Sequence, residues 1–596
     1  MNNEQCCPPR MPVALFRLKA RSEGLLWVCR RGAHVNPLAG ADKQFAIKSR
    51  KLDKQSLWTG IACLPQKLKF WNSLKFLIAL VLILLSFTHA LFAQEKDDDS
   101  VYYIREIYVD ITGRTSAYAL LRNSEIKKGD ELKGAAELKK YIADKKQTLM
   151  NRRELQEVDI DFAPADPDSG GRIPVDITIH TVDTRNFIIV PEPKYSSNTG
   201  WSPTLRIRDF NFLGLMTPLR INFTYRYNDS DDVTYSRNNI TFLLGLEIPF
   251  EAFGYDWTVN TENVFSYFVD EPFSYGGAGG ISVDIPLKST TFTFGFEQRV
   301  NFEKEYDNWQ KYIYNKNLED VWYGTSRVYG EWKVPLPVET ESLGNLIYKP
   351  ALSTNVNYAF RGEDLADHKG AAVNMSQKLG FTKIDWVGNY RRGADLYIEN
   401  RNEYNFFFEG WDNSITLNAT EHLVITDFFG ISMRGRFTRW FYNYDSDLSF
   451  EDTSNSAGWD VAGMIRGVGD GLISARSMFL FNFDFTFHIF NFMFSEYLKD
   501  ERLRLINFEL QAGTVIDIAI IDGVKVDNRR NFIRNITYSP HDWIVSGGIE
   551  LFVFPLAFRS IYLCASAVWN LNELFDAGIL PGNNDLELYI GLGHHY

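Results

Sequence analysis

The chain has 596 residues, 45% hydrophobic and 23% charged, with 63 basic and 75 acidic side chains. It is too apolar to be disordered and too long for one small domain, and its single long apolar stretch excludes a bundle of membrane helices. Residues 1–93 hold 14 basic against 4 acidic residues, leaving 49 against 71 beyond them, so the acidic body excludes a nucleic-acid partner.

In chain order, Lys67, Lys69 and Lys75 precede ten uncharged residues, Phe76 to Leu85, and then a small-residue stretch ending at Ala93. Residues 67–93 therefore read as a secretory signal peptide cleaved near Ala90 or Ala93. Residues 1–66 read as an over-extended gene start, since no Met lies between Met11 and Met150. Cys6, Cys7, Cys29 and Cys63 fall in this leader, which leaves Cys564 alone, without a disulfide partner or zinc spacing.

Residues 101–185 read as a small α/β unit. Tyr103 to Ile111 alternates like a strand that Gly113 ends, and Ser116 to Arg122 suits a short helix. Gly129-Asp130 forms a turn before a helix from about Glu131 to Met150, with Leu132, Ala136, Leu138 and Ile142 at helical spacing. Leu155–Phe162 and Ile173–Val182 complete a β-α-α-β-β order.

Residues 187–596 change character, to segments of period two. Five Phe from Phe479 to Phe487 alternate with Leu480, Asn482, Asp484, Thr486 and His488. One greasy wall and one mostly polar wall fit an exported transmembrane barrel, with lipid outside and a wet lumen inside. At about 9–11 residues per spanning strand, this length predicts an antiparallel barrel of about 16 strands. Tyr442–Trp459 and Asp522–Arg534 read as outer loops. Leu588, Ile590, Leu592 and Tyr596 share one face at the chain end and resemble the C-terminal strand signal of bacterial outer-membrane proteins.

One such unit before such a barrel resembles the BamA-like outer-membrane assembly and surface-antigen superfamily, whose periplasmic modules are POTRA domains. Gly113 and the Gly129-Asp130 turn match the module's strand-end glycine and turn. Asp209-Phe-Asn-Phe-Leu-Gly214 resembles the segment at the start of the barrel. Ile465-Arg466-Gly467-Val468 resembles the Val-Arg-Gly-Phe/Tyr motif of the sixth outer loop. Phe508 to Val515 resembles a later strand, with Gln511 where Asp is usual.

A loop folded into a polar lumen needs an anchor, and the guanidinium of Arg466 offers a planar donor fork. By alternation Asp484 and Glu509 point inward as its anionic partners, with Gln511 as a neutral acceptor. The resemblance implies insertion of outer-membrane proteins or translocation of polypeptide. The partners are then outer-membrane lipid, unfolded outer-membrane or secreted clients, and accessory lipoproteins. The edge strand carrying Leu155, Val158, Ile160 and Phe162 would take up client chains by strand addition. The first barrel strand, around Phe187–Lys194, contains Pro191 and Pro193, so a strained closing seam is expected there. Two other classes stay open: a two-partner secretion transporter for one exoprotein, and a passive porin or structural barrel. No catalytic motif, cofactor site or metal site is expected. The His594-His595 pair reads as incidental.

Overall fold

The computed structural model describes residues 100–196, 200–227, 238–268, 273–303, 321–340, 342–361, 370–406, 410–442, 459–461, 464–468, 473–526, 532–572 and 586–593. Residues 1–99, where the signal peptide is predicted and four of the cysteines fall, lie outside the described residues, as do His594, His595 and Tyr596.

The α/β unit runs β1 (Val101–Thr112), α1 (Ala117–Ser124), β2 (Glu131–Lys133), α2 (Gly134–Met150), β3 (Leu155–Pro164) and β4 (Ile173–Asp183). Its sheet order is β2-β1-β4-β3, with β1 and β4 parallel. Ser116 caps α1 by accepting the Ala119 N–H at 3.2 Å. The second helix starts later than its periodicity suggested. Glu131, Leu132 and Lys133 pair with Tyr103, Tyr102 and Val101, and Gly134 turns the chain with φ 79°. Local apolar spacing cannot register this pairing, because the partner strand lies some thirty positions earlier. Leu138, Ile142 and Leu149 pack one face of α2 against Ile104, Val175, Ile177 and Ile179.

Every described strand from Phe187 onward joins one antiparallel sheet. Its first segments are β5 (Phe187–Glu192), β6 (Tyr195–Ser196), β7 (Gly200–Trp201), β8 (Thr204–Asp209), β9 (Leu219–Tyr227), β10 (Asn238–Ala252) and β11 (Tyr255–Phe268). The middle holds β12 (Ser274–Leu287), β13 (Thr290–Glu303), β14 (Val321–Thr340), β15 (Gly344–Arg361), β16 (Gly370–Val387), β17 (Tyr390–Asn405), β18 (Gly410–Thr426) and β19 (Phe429–Tyr442). The last are β20 (Trp459–Asp460), β21 (Ile473–Phe492), β22 (Phe508–Val526), β23 (Phe532–Ile536), β24 (Ile544–Pro555), β25 (Leu563–Asn570) and β26 (Leu586–Leu592). Among the described residues the strand order is circular, and its ends meet at the register pairs Tyr589–Ser196 and Ile590–Tyr195.

Among the described residues, β5 with β6 and β7 with β8 form single passes. Setting aside the short β20 and β23 leaves eighteen passes, more than the 16 expected. Less chain is spent on connections than assumed. Two-residue turns at Phe253-Gly254, Lys288-Ser289, Gly388-Asn389 and Asp427-Phe428 join long strands at one end. Phe253 and Gly254 both take positive φ, 56° and 77°, the handedness that matches strand twist. The Asp522–Arg534 loop is also shorter than expected, because Asp522–Val526 continues β22 and Gly523–Val526 pairs with β23. The alternation of Val524 and Val526 outweighs the local turn signal of Asp522-Gly523.

Candidate functional site

Arg466 sits on the short stretch Met464–Val468 and is only 6% exposed. Its backbone N–H and Nε both donate to Asp517 Oδ2 at 3.0 Å, and Nη2 donates to Asp517 Oδ1 at 2.5 Å. Nη1 donates to Asp484 Oδ1 at 2.8 Å and to Glu550 Oε1 at 3.2 Å. The next residue adds a fourth carboxylate, the Gly467 N–H donating to Glu587 Oε2 at 2.7 Å. One loop residue and its neighbour thereby fasten β21, β22, β24 and β26. Gly467 takes φ 79°, and a Cβ there would meet the Trp569 carbonyl carbon at 3.0 Å, so both conformation and space require glycine.

The ionic contacts lie beside an apolar seat. Val461, Ile465 and Val468 are buried against Trp440, Met478, Leu480, Ala519 and Ile521. Burying each such Val or Ile contributes about 1.5–3 kcal/mol. The interior wall is therefore apolar at the loop's landing point, where simple alternation suggested a mostly polar surface. Elsewhere it carries charge, including Arg220 with Glu262 at 3.1 Å and Arg299 with Glu297 at 2.5 Å.

Of the sequence-predicted partners, Asp484 lies in the cluster. Glu509 and Gln511 share the inward face of β22 with Asp517. Glu509, eight positions from Asp517, lies about 27 Å along the strand at about 3.4 Å per residue. There it accepts from Asn389 Nδ2 at 2.7 Å and from Gln511 Nε2 at 2.6 Å. Asp517, Glu550 and Glu587 were missed. The available signal was an isolated carboxylate among apolar residues on an inward-facing position, in Val515-Ile516-Asp517-Ile518-Ala519 and Ile549-Glu550-Leu551.

Glu509 belongs instead to the junction between the α/β unit and the short-turn end of the ring. Asn211 Nδ2 donates to Thr115 Oγ1 at 2.7 Å, and the Ser116 N–H donates to the Gly214 carbonyl at 2.8 Å. Arg114 binds Asp209 at 3.1 Å. The strand-end glycine Gly113 lies against Asp183, leaving no room for a Cβ. At Gly129-Asp130 the Asp130 carboxylate accepts the Tyr141 hydroxyl at 2.7 Å, so this turn serves the unit's own fold. Across the junction, Asn151 Nδ2 donates to Asp385 at 3.0 Å, and Tyr118 donates to Asp256 at 3.0 Å. Burial and then the Asp256 carboxylate push the Tyr118 hydroxyl up to about 12. Arg153 stacks on the Trp386 ring at 4.3 Å, donates to Asn389 Oδ1 at 2.8 Å, and donates to the Arg559 carbonyl. Burial, and then the Arg559 charge, push its guanidinium down to about 10. Truncating Arg153 to alanine should cost about 1–3 kcal/mol of docking. Faster trypsin cleavage or hydrogen exchange in residues 101–185, with the ring intact, is the expected reading. Unchanged protection would remove Arg153 from the junction.

The third feature is the closure of the ring. β25 and β26 pair over seven residues, whereas among the described residues β26 pairs with β6 at Tyr589–Ser196 and Ile590–Tyr195. Pro191 lies within β5, and Pro193 lies between β5 and β6. A side chain takes over where the ladder stops: buried Glu192 accepts the Leu592 N–H at 2.8 Å and is paired with Arg206. Leu588 and Ile590 are exposed on one face of β26, while Leu592 is buried. On the predicted docking strand, β3 is an edge strand. Leu155, Val158 and Ile160 point into the core, and only Phe162 is exposed, at 37%. What β3 offers a partner is its backbone edge.

No protein-family model and no curated protein matches the sequence. Among solved structures the chain is similar to CdiB from Escherichia coli, at 9% identity over 85% of this chain and 92% of that chain, with a TM-score of 0.37. It is similar to BamA from Haemophilus ducreyi lacking POTRA domains 1–3, at 12% identity over 82% and 84% of the two chains, with a TM-score of 0.36. It is likewise similar to CdiB from Acinetobacter baumannii, at 11% identity over 83% and 74%, with a TM-score of 0.45.

Proposed function

We propose that the ring is a transmembrane β-barrel of a bacterial outer membrane, that residues 101–185 are its periplasmic POTRA unit, and that the protein inserts or translocates polypeptide. The observation that carries this reading is the short pairing of β26 with β6 among the described residues, two register pairs beside the Glu192 carboxylate. Hydrocarbon offers backbone groups no partner, so a short seam can exchange its pairing for that of an incoming strand. The outer wall suits lipid: Phe223, Phe294, Phe296, Leu352, Ile398 and Ile549 are all more than two-fifths exposed. The Arg466 cluster ties β21, β22, β24 and β26, all on one side of the seam, so that opening stays local.

The reading is tested with the purified protein in phospholipid vesicles, offered a urea-unfolded outer-membrane barrel. Faster appearance of folded, heat-modifiable client than in empty vesicles is expected. An equal rate excludes insertion. The charged interior wall favours passage of a dedicated exported polypeptide as the second reading, which predicts crosslinks in cells to one exoprotein instead of many nascent barrels.

The β3 edge gives a separate prediction. A photo-crosslinking residue replacing Asp161, on that edge, should capture an extended client peptide, whereas one replacing Lys139, on α2, should not. Equal capture at both would remove strand addition as the docking mode.

A further inference from the structure

β21 and β22 are not joined by a two-residue turn. Residues 493–507 form a helical turn, Phe494–Tyr497, and a 3-10 segment, Glu501–Ile506. The connector is a built element. The buried Asn507 side chain accepts the Ser495 N–H at 3.1 Å and donates to Ser495 Oγ at 2.8 Å, while Asp500 accepts the Arg502 N–H at 2.9 Å. It sits at the short-turn end, where the Asn507 carbonyl accepts the Leu556 N–H at 2.9 Å.

Its first turn lies on the outer wall. A register shift between His488 and Phe490 reverses the alternation of β21, so that Phe490 and Phe492 continue the outward row begun by Phe479 to Phe487. Phe492 stacks on Phe508 with centroids 5.7 Å apart, and the Phe494 ring packs on both, at 4.4 Å and 6.1 Å. Beyond Phe494, Tyr497 is 83% exposed, Leu498 57% and Ile506 51%. These apolar side chains are interleaved with Lys499, Arg502 and Arg504, and with Glu496 and Glu501. Aromatic and aliphatic side chains mixed with charges, at the rim of an apolar wall, match the headgroup layer of a bilayer. Neither bulk water nor the hydrocarbon core suits both kinds of residue.

We infer that residues 494–506 lie in the phospholipid headgroup layer on the α/β-unit side of the membrane and anchor the ring there, beside the strand that carries Asp484. The inference rests on the transmembrane reading proposed above and adds a lipid-contacting element to it. The occupant is phospholipid, because Phe494 makes the connector continuous with the outward row of rings.

The test uses the full chain with its native cysteines replaced by serine, reconstituted in phosphatidylethanolamine–phosphatidylglycerol vesicles. An environment-sensitive fluorophore is attached at Tyr497→Cys, Leu505→Cys or, on the wall, Phe296→Cys. Only heat-modifiable, folded protein is measured. The expected result is stronger quenching at 497 and 505 by a nitroxide near the lipid headgroup than by one at the chain end, with the deep label quenching at 296. Quenching at 296 with none at 497 and 505 overturns the anchor and leaves water or a protein partner on the connector. No quenching at 296 overturns the transmembrane reading and the anchor with it.

Discussion

Replacing Arg466 with alanine is expected to leave the chain exported and to lower sharply the fraction of folded, heat-modifiable ring. The substitution removes the cation among Asp484, Asp517 and Glu550, all nearly inaccessible to water. Breaking a buried ionic cluster from one side costs about 3–5 kcal/mol, since the remaining charges are neither hydrated nor paired. Arg466→Lys should recover only part of the loss. A single ammonium cannot reproduce the two-point contact with Asp517 while also reaching Asp484 and Glu550. Ile465→Asp separates the apolar contribution, because it spoils the seat among Met478, Leu480 and Ile521 and leaves the guanidinium in place. The measurements are the heat-modifiable fraction in semi-native electrophoresis and the urea midpoint in detergent. Wild-type values for Arg466→Ala on both would deny the cluster any role in holding the strands.

That cluster also marks the limit of what the sequence disclosed. The Phe row on β21 and the inward position of Asp484 follow from alternation, which is local and strict. Arg466 stood out because a cation and a glycine sit together in an otherwise apolar short motif. Asp517 stayed hidden because its identification depends on how far the loop descends into the ring, a distance fixed by strand length and stagger. A carboxylate at 509 and one at 517 are equivalent by period two, and some 27 Å separates them in space. The short strand β2 was illegible for a related reason, since only its partner β1 makes it a strand. By contrast, the edge position of β3 was readable from element order, and the weak closure from the two prolines near residue 192.

A disulfide across the closure, from Tyr195→Cys with Ile590→Cys, is expected to abolish client insertion while leaving the ring folded. The two residues are direct register partners on β6 and β26. Antiparallel partners have Cα atoms about 4.5–5.5 Å apart, within the range a disulfide spans without strain. Replacing all five native cysteines, the buried Cys564 among them, by serine avoids mispairing. The unlocked seam has a short ladder to keep it shut, two register pairs among the described residues against seven between β25 and β26. Glu192 supplies the next contact, and its pairing with Arg206 holds the carboxylate in place to receive the Leu592 N–H. Glu192→Ala should therefore act in the direction opposite to the crosslink, giving a ring that opens more readily in hydrogen exchange at residues 586–592. Reduction of the disulfide should restore insertion to the rate of the reduced control, which separates locking from misfolding. If the fully oxidised protein inserted clients as fast as the reduced one, the opening would lie elsewhere in the ring, and the short closure would have to be assigned a purely structural role.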